Sequence, residues 1–151
     1  MRLWRIIELP VIQLPLLVTV NFMDILFLLG RLVFGGYFLM NAWGHFKHLD
    51  GMTGYAQLKG VPSPRAAVFV GGVLLLLGGL GIVFGVAPEA ALALLIIFLV
   101  PVSFKMHAFW KETDPNAKMS EQIQFYKNLA LIGALLMLYA IEAPWAYTVL
   151  Q

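Results

Sequence analysis

Arg31 lies near the middle of an apolar run, residues 21–43. Inside a bilayer a guanidinium is costly and needs a partner or a wet cavity. Asp24 stands seven residues earlier, on nearly the same helical face. Two turns amount to ~10 Å along the axis, so a direct ion pair would need a water or a bend. Two readings fit. Arg31 is a structural group bonded to carbonyls or another helix, or it holds an anion, a quinone carbonyl or a lipid headgroup in a cavity.

His45, His48 and His107 fall at matching helix ends. His45 and His48 share a face if their helix continues past Trp43 and Gly44. Three converging imidazoles could bind a metal, and one axial histidine could hold a haem or chlorophyll. No spacing here matches a metal motif, so the plainer reading is a set of interfacial groups touching headgroups and loop carbonyls. Trp110, Lys127 and Asn128 stand at the same ends, with Tyr55, Phe104 and Phe125 among further aromatic residues. These rings could wall a flat apolar site for a quinone, or serve as belt and core. Lys127 can snorkel to headgroups, and Asn128 can bond across helices. These eight residues, Arg31 and Asp24 included, are the candidate pocket for a ligand. No nucleophile–base pair, phosphate-cradling loop or paired carboxylates stand out, so no catalytic or metal-binding residue is assigned.

Four apolar segments must position these groups: residues 21–43, 65–86, 88–106 and about 122–143. Each approaches the ~20 residues that a spanning helix needs. Pro88 and Glu89 suit a first helical turn, and Pro101 should kink the third segment. The pattern predicts an all-α membrane bundle of four helices with both termini on one side. Trp43 and Trp110 mark one set of helix ends, Trp4 and Trp145 the other, with Tyr126 and Tyr147 in opposite belts. Lys47, Lys59, Arg65, Lys105, Lys111, Lys118 and Lys127 flank the two long loops, against only Arg2 and Arg5 on the other side. That asymmetry places the long loops in the cytoplasm and both termini outside.

Composition agrees with a lipid environment. Of 151 residues 61% are hydrophobic and 12% charged, where a soluble domain carries about a quarter charged; a water-exposed surface cannot be built from so few charges. The absence of cysteine removes disulfides, thiolate metal sites and thiol exchange. Residues 1–20 read as a retained segment along the interface, because Glu8, Pro10 and Pro15 interrupt the apolar run and no cleavage motif follows. The rest forms one domain, residues 21–151. Gly71, Gly78 and Gly85 recur every seven residues, and Gly81 and Gly85 make a small-xxx-small pair. Such a stripe serves packing inside the bundle or docks a partner subunit, and packing is the more common use.

Several motifs, in order, resemble the DoxX family of small bacterial and archaeal membrane proteins. They are Arg31 in the first helix, Gly60-Val61-Pro62-Ser63-Pro64, the glycine-rich second helix, His107 with Phe109 and Trp110, Asp114-Pro115, and Phe125-Tyr126-Lys127-Asn128-Leu129-Ala130 leading to Gly133. The resemblance covers about residues 25–138. It implies a multi-pass protein of the bacterial or archaeal inner membrane, in a family named from sulfur- and quinone-oxidation systems. There, related small subunits accompany a thiosulfate:quinone oxidoreductase. One departure stands out: family members often carry a glutamate early in the second helix, and this chain has no acidic residue there. If that acid faces the arginine, then Asp24, an ordered anion or another chain must compensate Arg31.

Three functions follow. The first is a small subunit, not catalytic alone, that provides a quinone site to a membrane oxidoreductase. The second is a structural accessory subunit of a larger respiratory or photosynthetic complex. The third, a transporter or channel, ranks last because no pair of broken helices in repeated halves is present. The expected partners are membrane lipid and either other membrane subunits or a second copy of this chain; nucleic acid is not among them.

Overall fold

A computed structural model describes residues 21–149 as helices joined by short connections. The order is α1 (Phe22–Lys47), α2 (Leu49–Leu58), α3 (Pro64–Phe84), α4 (Pro88–Lys105), a 3-10 turn (Phe109–Lys111) and α5 (Pro115–Tyr139). Residues 1–20, expected along the interface and carrying Trp4, Arg2 and Arg5, lie outside the described residues, as do the last two.

The helix ends follow local chemistry. Asn21 caps α1 by accepting from the Met23 amide. Asp114 caps α5 by accepting from the Ala117 amide at 2.7 Å, with Pro115 in the first turn. This cap starts α5 seven residues before the apolar segment that announced it. Gly85, at φ +68°, terminates α3 in the left-handed conformation, which costs glycine little. Pro88 then opens α4, so the α3–α4 hairpin is as tight as expected. α1 runs through Gly44 to Lys47. Tertiary packing offsets the glycine there: the Phe46 ring and the His45 Cβ occupy the space a Gly72 side chain would fill. α2 was not expected, and its ten residues cover the first long connection.

α1, α3 and the stretch Pro88–Lys111 are each long and apolar enough to cross a membrane. α5 is 25 residues long, but polar residues from Lys118 to Asn128 occupy much of its first half, and its apolar part is the second half. The molecule is an all-α membrane bundle. α3 is central, packing on α1, α2 and α4, and α4 packs on α5; the backbones of α1 and α5 nowhere approach within 8 Å. Phe38, Leu75, Ile82, Leu92, Leu95 and Leu135 form the buried core between them.

The paired glycines of α3 serve two faces, because adjacent positions on a helix point about 100° apart. Gly71 and Gly78 meet Phe98 and Leu95 of α4, Gly81 meets Ala91, and Gly79 faces Gly35 of α1. The stripe is filled from within the chain.

Trp43 and Trp110 point outward at one end of the bundle, as expected of a belt. Trp145, expected at the opposite belt, is instead only 3% exposed. Its ring packs at 5.2 Å on the edge of Phe27 and lies 5.6 Å from the Arg31 guanidinium. A flat ring offers a cation its negative face, and that attraction draws Trp145 inward.

Candidate functional site

The eight candidate residues divide between the two ends of the bundle. Arg31 is 2% exposed and belongs to the end where α3 stops. Its Nε donates to the Ile82 carbonyl and its Nη2 to the Val83 carbonyl, both at 2.9 Å, and its Nη1 donates to the Ala146 carbonyl. The last carbonyls of a helix have no partner within it. Here each finds one: Gly81 from Gly85 and Val86, Ile82 and Val83 from Arg31, Phe84 from the Val149 amide, and Gly85 from Thr148. A cation at this terminus also meets the negative end of the helix dipole. Among the described residues Arg31 is thus answered by carbonyls and ring faces and not by Asp24. Asp24 lies two turns further out and shares none of these bonds.

A cavity of about 760 Å³ lies at the opposite end, between α1, α3, α4, α5 and the covering α2. His45, His107, Lys127 and Asn128 line it; His48 and Trp110 do not. His48 caps α1 and is exposed. Trp110 interlocks with Phe104, Phe109 and Phe125, fastening the end of α4 to α5. The three imidazoles do not converge, and among the described residues no group of three or more metal-ligating side chains forms. The cavity wall is mostly apolar, with Tyr37, Leu75 and Phe98 prominent. Pro101 also borders it, and having no N–H it cannot bond the Ile97 carbonyl four residues back.

The polar groups on that wall have defined states. Asn128 is 5% exposed, and no hydrogen bond among the described residues uses its amide. Among the described residues no fully enclosed side-chain polar atom lacks a partner, so the Asn128 amide is open to the cavity it borders. Asn41 gives its Nδ2 to the Tyr37 carbonyl at 2.7 Å, and His45 faces the Asn41 carbonyl through Nδ1 at 2.9 Å. Both are four-residue reaches back along α1, so the two side chains share one face.

An ionic cluster that no sequence pattern announced closes the cavity on its loop side. Lys59 bridges Glu112 at 2.6 Å and Glu121 at 3.0 Å. Glu121 also receives the Tyr55 hydroxyl and lies 2.7 Å from His107 Nδ1. Lys59, Glu112 and Glu121 sit in three separate connections or helix starts, 53 and 62 residues apart from the lysine, a distance at which spacing carries no signal. Burial works against ionised Glu121, yet hydrogen bonds from Tyr55, His107 and Lys59, with the charge on Lys59, hold its carboxyl down at about 2. Burial likewise opposes the Lys59 ammonium, but its bonds to Glu112 and Glu121 hold it above the ordinary lysine range.

A pH dependence follows. The folded pKa of Glu121 lies below its ordinary value of 4.5, so its contribution is complete above that value and is lost as pH falls toward about 2. Thermal melts should show the wild type losing stability over that window. Glu121→Gln should lack this component and start from a lower melting temperature near neutral pH. Parallel curves for the two proteins would refute the assignment.

The DoxX family model matches residues 26–108. The chain is 27% identical over 122 residues to the inner membrane protein YphA of Escherichia coli (strain K12), covering 81% of this chain and 86% of that protein. No solved structure matches.

Proposed function

The chain belongs to the DoxX family, and from that premise we propose that it is a small inner-membrane subunit that holds a lipid-soluble ring of the quinone class for a membrane oxidoreductase. The observation that carries this reading is the Asn128 amide, without a partner among the described residues and open to the apolar cavity whose wall it forms. Small-molecule sites are mostly apolar clefts of ~300–1,000 Å³ with a few placed polar groups. A hydrogen bond contributes about 0.5–1.5 kcal/mol net, which a bound oxygen acceptor would supply to this amide. A flat ring suits Tyr37, Leu75 and Phe98, and a ring oxygen suits the Asn128 N–H. The separation of α1 from α5 supports sideways entry from the bilayer. The cation excess of the loops supports a cytoplasmic position for this end.

The test is equilibrium binding of menadione to the purified chain in nanodiscs, with Asn128→Leu as the variant. Leucine matches asparagine in size but offers no hydrogen bond. Affinity should fall about tenfold or more, while the melting temperature holds or rises because an unpaired polar group has been removed. Unchanged affinity in Asn128→Leu would sink the reading.

A further inference from the structure

The polar groups on the α1 wall of the cavity are committed in one direction. The partner of His45 Nδ1 is a backbone carbonyl at 2.9 Å, which can only accept. The ring hydrogen of neutral His45 is therefore on Nδ1, and Nε2 keeps a lone pair with no partner among the described residues. Asn41 is fixed by the same logic: its Nδ2 faces the Tyr37 carbonyl, so its Oδ1 is the free acceptor. Reversing that amide would set two oxygens against each other. Across the cavity, His107 Nδ1 faces a Glu121 carboxylate oxygen at 2.7 Å. Ionised Glu121 only accepts, so His107 donates there, and its Nε2 is a further acceptor when the ring is neutral. Asn128 adds a free amide with both donors and an acceptor.

A quinone carries acceptors alone. It satisfies Asn128 but leaves His45 Nε2 and Asn41 Oδ1 facing an oxygen or nothing. A hydroquinone carries two hydroxyls that each accept and donate, so it can accept from the Asn128 N–H and donate to an α1 acceptor. Resting on the proposed binding role, we infer that the cavity is built to receive hydrogen bonds, so that the form it holds preferentially is the hydroxylated ring, a hydroquinone or phenol, with His45 Nε2 as the principal acceptor. No electron transfer is required of this chain; the preference is one of binding.

The experiment uses the full chain in nanodiscs under argon, titrated with three probes of one shape: tetramethyl-1,4-hydroquinone, tetramethyl-1,4-benzoquinone, and the dimethyl ether of the hydroquinone. The hydroquinone should bind about tenfold or more tightly than either of the others, the difference expected when one buried acceptor is left unpaired. In His45→Phe the hydroquinone and the quinone should bind with similar affinity, because no acceptor is then left for the hydroxyl to satisfy or the quinone to strand. The comparison of probes on the wild type stands even if the variant fails to fold. Benzoquinone binding as tightly as hydroquinone overturns the inference but leaves the quinone-class site standing. Full discrimination retained in a folded His45→Phe overturns the role of His45. If no probe binds, both the inference and the site fall.

Discussion

Arg31→Ala is expected to lower the unfolding free energy by about 3–5 kcal/mol, because it leaves three carbonyls without donors at about 1–3 kcal/mol each. The guanidinium supplies charge-assisted bonds to Ile82, Val83 and Ala146, and without it one buried and two part-buried carbonyls lose their donors. The ring faces of Trp145 and Phe27 lose their cation as well. Arg31→Lys keeps the charge but not the planar fork, so it should recover only part of the loss. Gly85 provides an internal control. A Cβ there would lie 2.6 Å from Arg31 Nη2, at a backbone φ of +68°. Gly85→Ala should therefore destabilise through both backbone strain and displacement of the guanidinium. In an Arg31→Ala background the second part vanishes, so the two effects should add to less than their sum. Denaturation by SDS, followed by circular dichroism, reads the wild type and all four variants. A loss under about 1 kcal/mol for Arg31→Ala would mean that the cap is no more than a surface contact.

Gly78→Leu is the second large effect. A Cβ at this position would sit 2.5 Å from the Leu95 Cγ and 3.0 Å from the Ala91 carbonyl oxygen. Leu95 is fully buried and the carbonyl belongs to a helix, so neither can give way cheaply. α3 and α4 must then separate, and every apolar contact along their seam weakens. Gly78→Ala should cost about 1–3 kcal/mol, the usual range for overpacking, and Gly78→Leu should prevent recovery of a monodisperse protein. Gly36→Ala and Gly133→Ala are the controls, since a Cβ at either meets nothing within 4 Å; both should leave the melting temperature nearly unchanged. If Gly78→Ala behaves like these controls, the α3–α4 approach is looser than the structure has it.

Both predictions concern groups visible in the sequence whose partners were not. The all-α membrane class was legible because hydrophobic length and the scarcity of charge are properties of contiguous residues, and bilayer thickness converts them directly into helices. The tight α3–α4 hairpin was legible from Gly85 and Pro88 for the same local reason. Arg31 announced itself as a buried charge needing satisfaction, but its acceptors lie 51, 52 and 115 residues away. They are backbone carbonyls, which every residue type carries equally, so no side-chain identity could mark them.

The site shows the same boundary. His45, His107, Lys127 and Asn128 could be singled out as polar residues at matching helix ends, whereas Arg31 and Asp24 were grouped with them only because they were charged. Which side chains share a cavity was decided by the spacing of α1 and α5 around α3 and α4, set in turn by the glycines that let α3 pack closely on two neighbours. The cluster of Lys59, Glu112, Glu121, His107 and Tyr55 exists only once α2 folds over the end of the bundle. The sequence by itself determined that the chain is a helical membrane protein with a charge to bury. The tertiary structure alone decided where that charge is answered and where a ligand could sit, because periodicity acts within a helix while both decisions are made between helices.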